Sequence, residues 1–269
     1  MPDLKRRTLA ATFTVMMIAA GGQASHRYYL DGLCPFQRSR SLRAAGAQVS
    51  IPPAQPAYET RKIHDPNGTG KFYLDREIAQ VMGPGGIEWL DRPEREDEER
   101  PAAVIEVLEL HAGDVVADLG AGSGYFTFRI APKVGKAGKV LAVEIQDEML
   151  ETIRRRATAL HITNVEPIKA SETDPKLPVA SVDIVLMVDV YHELAYPFEV
   201  MTRVRESLKP GGRVVFVEYR KEDPQVPIKE VHKMSLEQLD KEMKVVGLER
   251  ARTVEALPWQ HIAVYEKRE

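Results

Sequence analysis

Asp118-Leu119-Gly120-Ala121-Gly122-Ser123-Gly124 decides the fold. It joins the short apolar run Val115 to Ala117 to a helical pattern carrying Tyr125, Phe126 and Phe128. A buried strand that ends in alternating glycines and passes directly into a helix is the first turn of an open α/β sheet. Gly120, Gly122 and Gly124 permit positive φ and let a ligand approach the backbone, beyond the carboxyl end of the strand. Outward from this turn, Val140 to Val143, Val182 to Val188 and Val214 to Val217 read as strands buried on both faces. Strands near Leu248 to Arg252 and Ile262 to Tyr265 complete the sheet. Helices lie between them. Asp147 precedes a stripe of Leu150, Ile153, Ala157 and Leu160, and Pro197 opens one of Val200, Met201, Val204 and Leu208. Ser235 and Gln238 have capping-box spacing, and Gly247 is a helix stop.

Two acids sharpen the turn. Asp118 ends the first strand, and Glu144 ends the second, placed to accept hydrogen bonds from ribose hydroxyls. A nicotinamide dinucleotide turn has the spacing G-x-G-x-x-G and offers amides to a diphosphate. Here the spacing is G-x-G-x-G, and Asp118 would sit beside that diphosphate. An aminoacyl sulfonium carries an ammonium group for such an acid to organise.

The stretch Val116 to Thr127 resembles the first motif of class I S-adenosylmethionine-dependent methyltransferases. Val140 to Glu144 with Met149-Leu150 is similar to the second motif. Leu177-Pro178 with Ser181 to Val185 matches the approach to strand four, and Leu208 to Arg213 the turn into strand five. The resemblance covers residues 101 to 266. It implies a Rossmann-like, seven-stranded, mostly parallel sheet with helices on both faces, strand order 3-2-1-4-5-7-6, and S-adenosyl-L-methionine as cofactor. It also implies that Asp118, Gly120 and Gly122 lie near the methionine moiety, Glu144 at the ribose and Ser171 and Glu172 at adenine, with Ala121, Gly124, Ile145 and Asp189 as further cofactor-binding residues. The stretch Lys169 to Thr173 lacks the family's frequent Gly-Asp-Ala form. Gly70 to Tyr73, Arg76 to Ala79 and Arg92 to Arg95 resemble a bacterial methyltransferase-domain subgroup, a likeness that names no substrate.

Methyl transfer is an in-line displacement, so alignment and exclusion of water are the protein's main tasks. Tyr191, His192 and Glu193 follow strand four and face the methyl position if the family fold holds. His192 is the candidate general base, Glu193 its orienting group and Tyr191 a packing surface; the competing reading makes His192 a polar residue that only shapes the pocket. The acceptor expected is a small molecule. An NAD-dependent oxidoreductase and a non-catalytic S-adenosylmethionine-binding module stand as rival readings.

Composition agrees with an ordinary globular chain of 269 residues, 43% hydrophobic and 29% charged. A net charge of −3, from 37 basic and 40 acidic residues, offers no global attraction for nucleic acid. Cys34, the single cysteine, cannot pair within the chain. His64, His111, His161, His232 and His261 are scattered with no metal-ligand spacing, so no metal is expected. The run Arg154 to Arg156 reads as the solvated side of an amphipathic helix.

Lys5, Arg6 and Arg7 precede an apolar run from Thr8 to Ala20, which predicts an export signal over residues 1–24, with the twin-arginine route among the options. The mature chain would then be periplasmic or exported, with no stable membrane span. An uncleaved anchor, or an upstream start codon on a cytoplasmic protein, is the alternative. Residues 25–62 read as a linker or irregular arm, 63–100 as an N-terminal helical cap and 101–269 as the methyltransferase domain. Within the cap, Tyr73, Arg76 and Trp89 read either as a substrate lid or as simple packing. Asp91 and Pro93 mark a helix start, and Glu94 to Arg100 a solvated face.

Overall fold

The computed structural model describes residues 57–268, so the signal at 1–24 and most of the arm lie outside the described residues. The chain enters as a three-stranded antiparallel meander, β1 (Tyr58–Thr60), β2 (Gly68–Tyr73) and β3 (Arg76–Ala79). This corrects the helical reading of residues 63–82. The pairs Phe72/Tyr73 and Ile78/Ala79 bury their side chains in strands, around a two-residue turn in which Leu74 and Asp75 both take positive φ. Helical structure begins only at Pro84, with α1 (Ile87–Leu90), α2 (Arg95–Glu99) and α3 (Pro101–Val107). Asp91 is the C-cap residue of α1 and does not cap α2, whose N-cap is Glu94; its side chain accepts from the Ser123 hydroxyl and pairs with Arg156.

The sheet follows, with β4 (Val115–Leu119), α4 (Thr127–Val134), β5 (Lys139–Glu144), α5 (Asp147–Ala159), β6 (Val165–Lys169) and β7 (Val182–Val188). It closes with α6 (Pro197–Ser207), β8 (Leu208–Tyr219), α7 (Leu236–Val245), β9 (Leu248–Val254) and β10 (Gln260–Lys267). The spatial order is β6-β5-β4-β7-β8-β10-β9, which is 3-2-1-4-5-7-6 counted from β4. Pairing is parallel as far as β8, and β10 runs antiparallel to both its neighbours.

Strand alternation divides the core in two. Ile184 and Leu186 of β7, with Val215 and Val217 of β8, pack with Val104 of α3 and Ile130 and Val134 of α4. Val185, Met187, Val214 and Phe216 point the other way, among Val200, Met201 and Val204 of α6 and Leu239 and Met243 of α7. Both faces are thus apolar, which is why these strands read as near-continuous hydrophobic runs, broken in β7 only by Asp183. The Ser235 side chain caps α7, accepting the Gln238 N–H at 3.1 Å, and Gly247 at φ 73° ends it. Asp147 is the first residue of α5 and makes no cap bond; Gln146 occupies the cap position.

A buried ion pair fastens the meander to the sheet domain. Arg76 of β3 donates Nε and Nη2 to Glu242 of α7 at 2.7 and 2.9 Å and Nη1 to the His192 carbonyl at 3.2 Å. Glu242 also accepts from the Tyr191 hydroxyl and from Gln238. Such a pair is stable only because its remaining lone pairs and protons are met.

Candidate active site

The glycine turn stands beyond the carboxyl end of β4, at the switch point between β5 and β7. Gly120 has φ 74°, and a Cβ there would lie 2.5 Å from Val190, so both backbone and space require glycine. Glu144 locks the turn from the end of β5. Its Oε2 accepts the Gly122 N–H at 3.0 Å, and its Oε1 accepts those of Ile145 and Gln146 at 2.7 and 3.0 Å. A carboxylate has about four lone-pair positions, so three amides leave acceptor capacity for a ligand.

A cleft opens over this turn. Of the residues singled out in the sequence, Gly120, Gly122, Glu144, Ile145, Glu172, Asp189 and Glu193 form its wall. Asp118, Ala121, Gly124, Ser171, Tyr191 and His192 do not. Asp118 lies behind the turn, accepting the Thr127 hydroxyl at 2.5 Å, and burial raises its carboxyl to about 6. The Ser171 hydroxyl accepts the Asp174 N–H. Asp189 takes φ 54° at the end of β7, with Oδ2 held by Gln260 at 3.0 Å and Oδ1 buried without a partner. Burial, together with Glu99 and Glu218 nearby, holds its carboxyl well above the usual range.

The trio after β7 separates. Only Glu193 reaches the wall, and burial raises its carboxyl to about 7. His192 is 2% exposed, with Nδ1 2.6 Å from Glu218 Oε2 and Nε2 3.1 Å from His232 Nδ1. Its ring is thus held between Glu218 and His232, and His192 is not among the residues of the cleft wall. Glu193 Oε1 lies 3.9 Å from His192 Nε2, too long for the orienting hydrogen bond expected. Tyr191 is buried on Glu242.

The segment after the meander and the short helices also supply cleft residues, of which the sequence had singled out only Trp89. Val81, Met82, Trp89 and Leu90 line the mouth, and the first three are exposed. Tyr73 and Arg76 pack inward, so among the proposed lid residues only Trp89 borders the cleft. Arg95 is the largest omission. The charged run Glu94 to Arg100 reads as a solvated face, yet Arg95 and Glu99 are each 3% exposed and bond at 2.7 Å. The Arg95 guanidinium stacks on Tyr125 at 4.3 Å and is the one basic residue in the cleft wall among the described residues. Its i,i+4 spacing from Glu99 was the available signal: one face of a helix turned inward.

A methyltransferase-domain family model matches residues 110–263. The chain is 35% identical over 114 residues to protein-L-isoaspartate O-methyltransferase 2 of Archaeoglobus fulgidus, covering 42% of this chain and 49% of that one. It is 30% identical over 115 residues to aklanonic acid methyltransferase DauC of a Streptomyces species, covering 42% and 51%. It therefore spans about half the length of these curated relatives. A solved SAM-dependent methyltransferase from Aquifex aeolicus is 26% identical, with a TM-score of 0.65 over 69% of this chain and 98% of its own. Because the family match takes in more than half of the residues, and the sheet runs in the order 3-2-1-4-5-7-6, this chain belongs to the class I S-adenosylmethionine-dependent methyltransferase family.

Proposed function

We propose that the protein transfers a methyl group from S-adenosylmethionine to a small, partly apolar acceptor. One observation carries the reading: Glu144, Glu172, Asp189 and Glu193 put four carboxyl groups in the cleft wall against one guanidinium, that of Arg95, among the described residues, and a bound cation favours the charged form of Asp189 and Glu193, which burial alone disfavours. An acid-rich wall suits a ligand bearing sulfonium and ammonium charges and opposes the diphosphate of a nicotinamide dinucleotide. The partnerless Asp189 Oδ1 and the glycine walls at Gly120 and Gly122 fit such a ligand as well.

In this reading Glu144 receives the ribose hydroxyls, Glu172 borders the adenine, and Asp189 answers the ammonium charge. Arg95 takes the carboxylate of the amino-acid moiety. Asp118 and Thr127 position the turn without touching the ligand. When bound, the cofactor supplies a methyl carbon already activated for displacement. The protein then has to hold the acceptor in line and keep water out. Exposed Val81, Met82, Trp89 and Ile145 give the mouth an apolar rim, which motivates an acceptor with an apolar body.

Calorimetric titration of the full chain with S-adenosylmethionine, S-adenosylhomocysteine and NAD tests the cofactor class. One-to-one binding of the two sulfur compounds without NAD is expected. Binding of NAD alone would overturn the reading.

A further inference from the structure

Beside the cleft, the turn after β7 meets the loop before α7 at three donor atoms. His192 Nε2 lies 3.1 Å from His232 Nδ1, and Glu193 Oε1 lies 3.9 Å from the first and 3.7 Å from the second. A triangle with these sides has a circumscribed radius of about 2.1 Å. That is the length of a Zn–N or Zn–O bond, so one ion can reach all three donors with only small side-chain adjustment. The three atoms form a cluster fit for a metal across 40 residues of sequence separation.

A second observation concerns the ring behind the triangle. His192 Nδ1 is bonded to fully buried Glu218 at 2.6 Å, and the other oxygen of Glu218 accepts the Tyr191 N–H at 2.9 Å. A carboxylate behind an imidazole fixes the ring orientation and puts the proton on the near nitrogen, leaving the Nε2 lone pair for an ion. Two imidazoles and one carboxylate suit zinc and its first-row neighbours, whereas magnesium and calcium prefer all-oxygen sites.

We propose that His192, Glu193 and His232 bind a first-row divalent cation, zinc being the best match, with the fourth coordination position left to water or another lone-pair donor. A site with three protein ligands is of the open kind, since closed structural zinc sites take four. Glu193 joins this site to the cleft. Its Oε1 faces the histidines, while its Oε2 accepts the Met82 N–H at 3.3 Å, so an ion on Oε1 steadies the rim of the cleft through the same carboxylate. The inference does not depend on methyl transfer.

The test is titration of chelator-treated, untagged full-length protein with Co²⁺, followed by displacement with Zn²⁺. Expected are one cobalt ion per chain, the intense visible bands of a four-coordinate complex, and displacement by one equivalent of zinc. His232→Ala leaves the Glu218–His192 pair untouched and should weaken zinc binding by at least about 100-fold, more than the usual loss of an outer-shell partner. Glu193→Gln should weaken it as well. His111→Ala, at an exposed histidine far from the site in sequence, should leave it unchanged. Failure to take up one equivalent, the pale spectrum of six-coordinate cobalt, or equal affinities for His232→Ala and His111→Ala would each overturn the proposal.

Discussion

Replacing Glu144 by Gln keeps the side chain's shape and removes its charge and one acceptor oxygen. The native carboxylate serves three amides, those of Ile145 and Gln146 on one oxygen and that of Gly122 on the other. A carboxamide cannot serve all three. If its oxygen stays on Ile145 and Gln146, its NH₂ confronts the Gly122 N–H; if it turns over, two amides lose their acceptor. At least one half-buried or exposed donor loses its acceptor, and since water can replace that bond in part the cost is at most about 1 kcal/mol of stability. The ligand also loses a charged acceptor for its ribose hydroxyls, worth about 1.5–3 kcal/mol, or about 10- to 150-fold in Kd. Urea denaturation without ligand reads the first effect, and calorimetric titration with S-adenosylhomocysteine reads the second. A Kd within about twofold of wild type, with stability reduced, would show that Glu144 builds the turn without touching the cofactor. The reasoning would then fail at its functional step.

Asp118 makes a pH prediction. Its folded pKa of about 6 lies above the ordinary 3.8, so the folded state holds this proton more tightly than the unfolded one. The stability this contributes is full below about pH 4 and is lost as pH rises through about 6, a change of about 3 kcal/mol. Stability measured for wild type and Asp118→Asn across that range should diverge with this sign, with wild type falling relative to the variant; a constant difference would refute it. Arg76→Met leaves Glu242 buried without its cation and should cost about 3–5 kcal/mol in urea denaturation, while Arg76→Met with Glu242→Met should recover much of the loss. A single variant within about 1 kcal/mol of wild type would show that the pair does not hold the meander to α7.

The sheet was legible in the sequence because its central strands are buried on both faces. Val182 to Val188 stands out as a run that is apolar except for Asp183, and the structure makes it β7 with those bounds. The edge strand β6 did not stand out: it is only partly buried and carries Pro167, which an edge position tolerates. The glycine turn, Glu144 and Asp189 were legible for another reason. Their spacing is set locally by where a strand ends and a helix begins, and the structure keeps Gly120, Gly122, Glu144 and Asp189 in one wall.

Tertiary structure decided the rest. A charged run such as Glu94 to Arg100 says nothing about which of its charges meet partners across the fold, and only packing against Tyr125 and Leu90 turns Arg95 inward. The meander was misread as helical because Phe72, Tyr73, Ile78 and Ala79 suit either period until antiparallel pairing chooses one. His192 and His232 are unremarkable 40 residues apart, and become neighbours only when the turn after β7 meets the loop before α7. The sequence by itself determined the central strands, the crossover helices and the shape of the glycine turn, which depend on residues close in the chain. Which charges are buried, which side chains reach the cleft and which donors converge depend on contacts between distant segments, and only the folded chain brings those together.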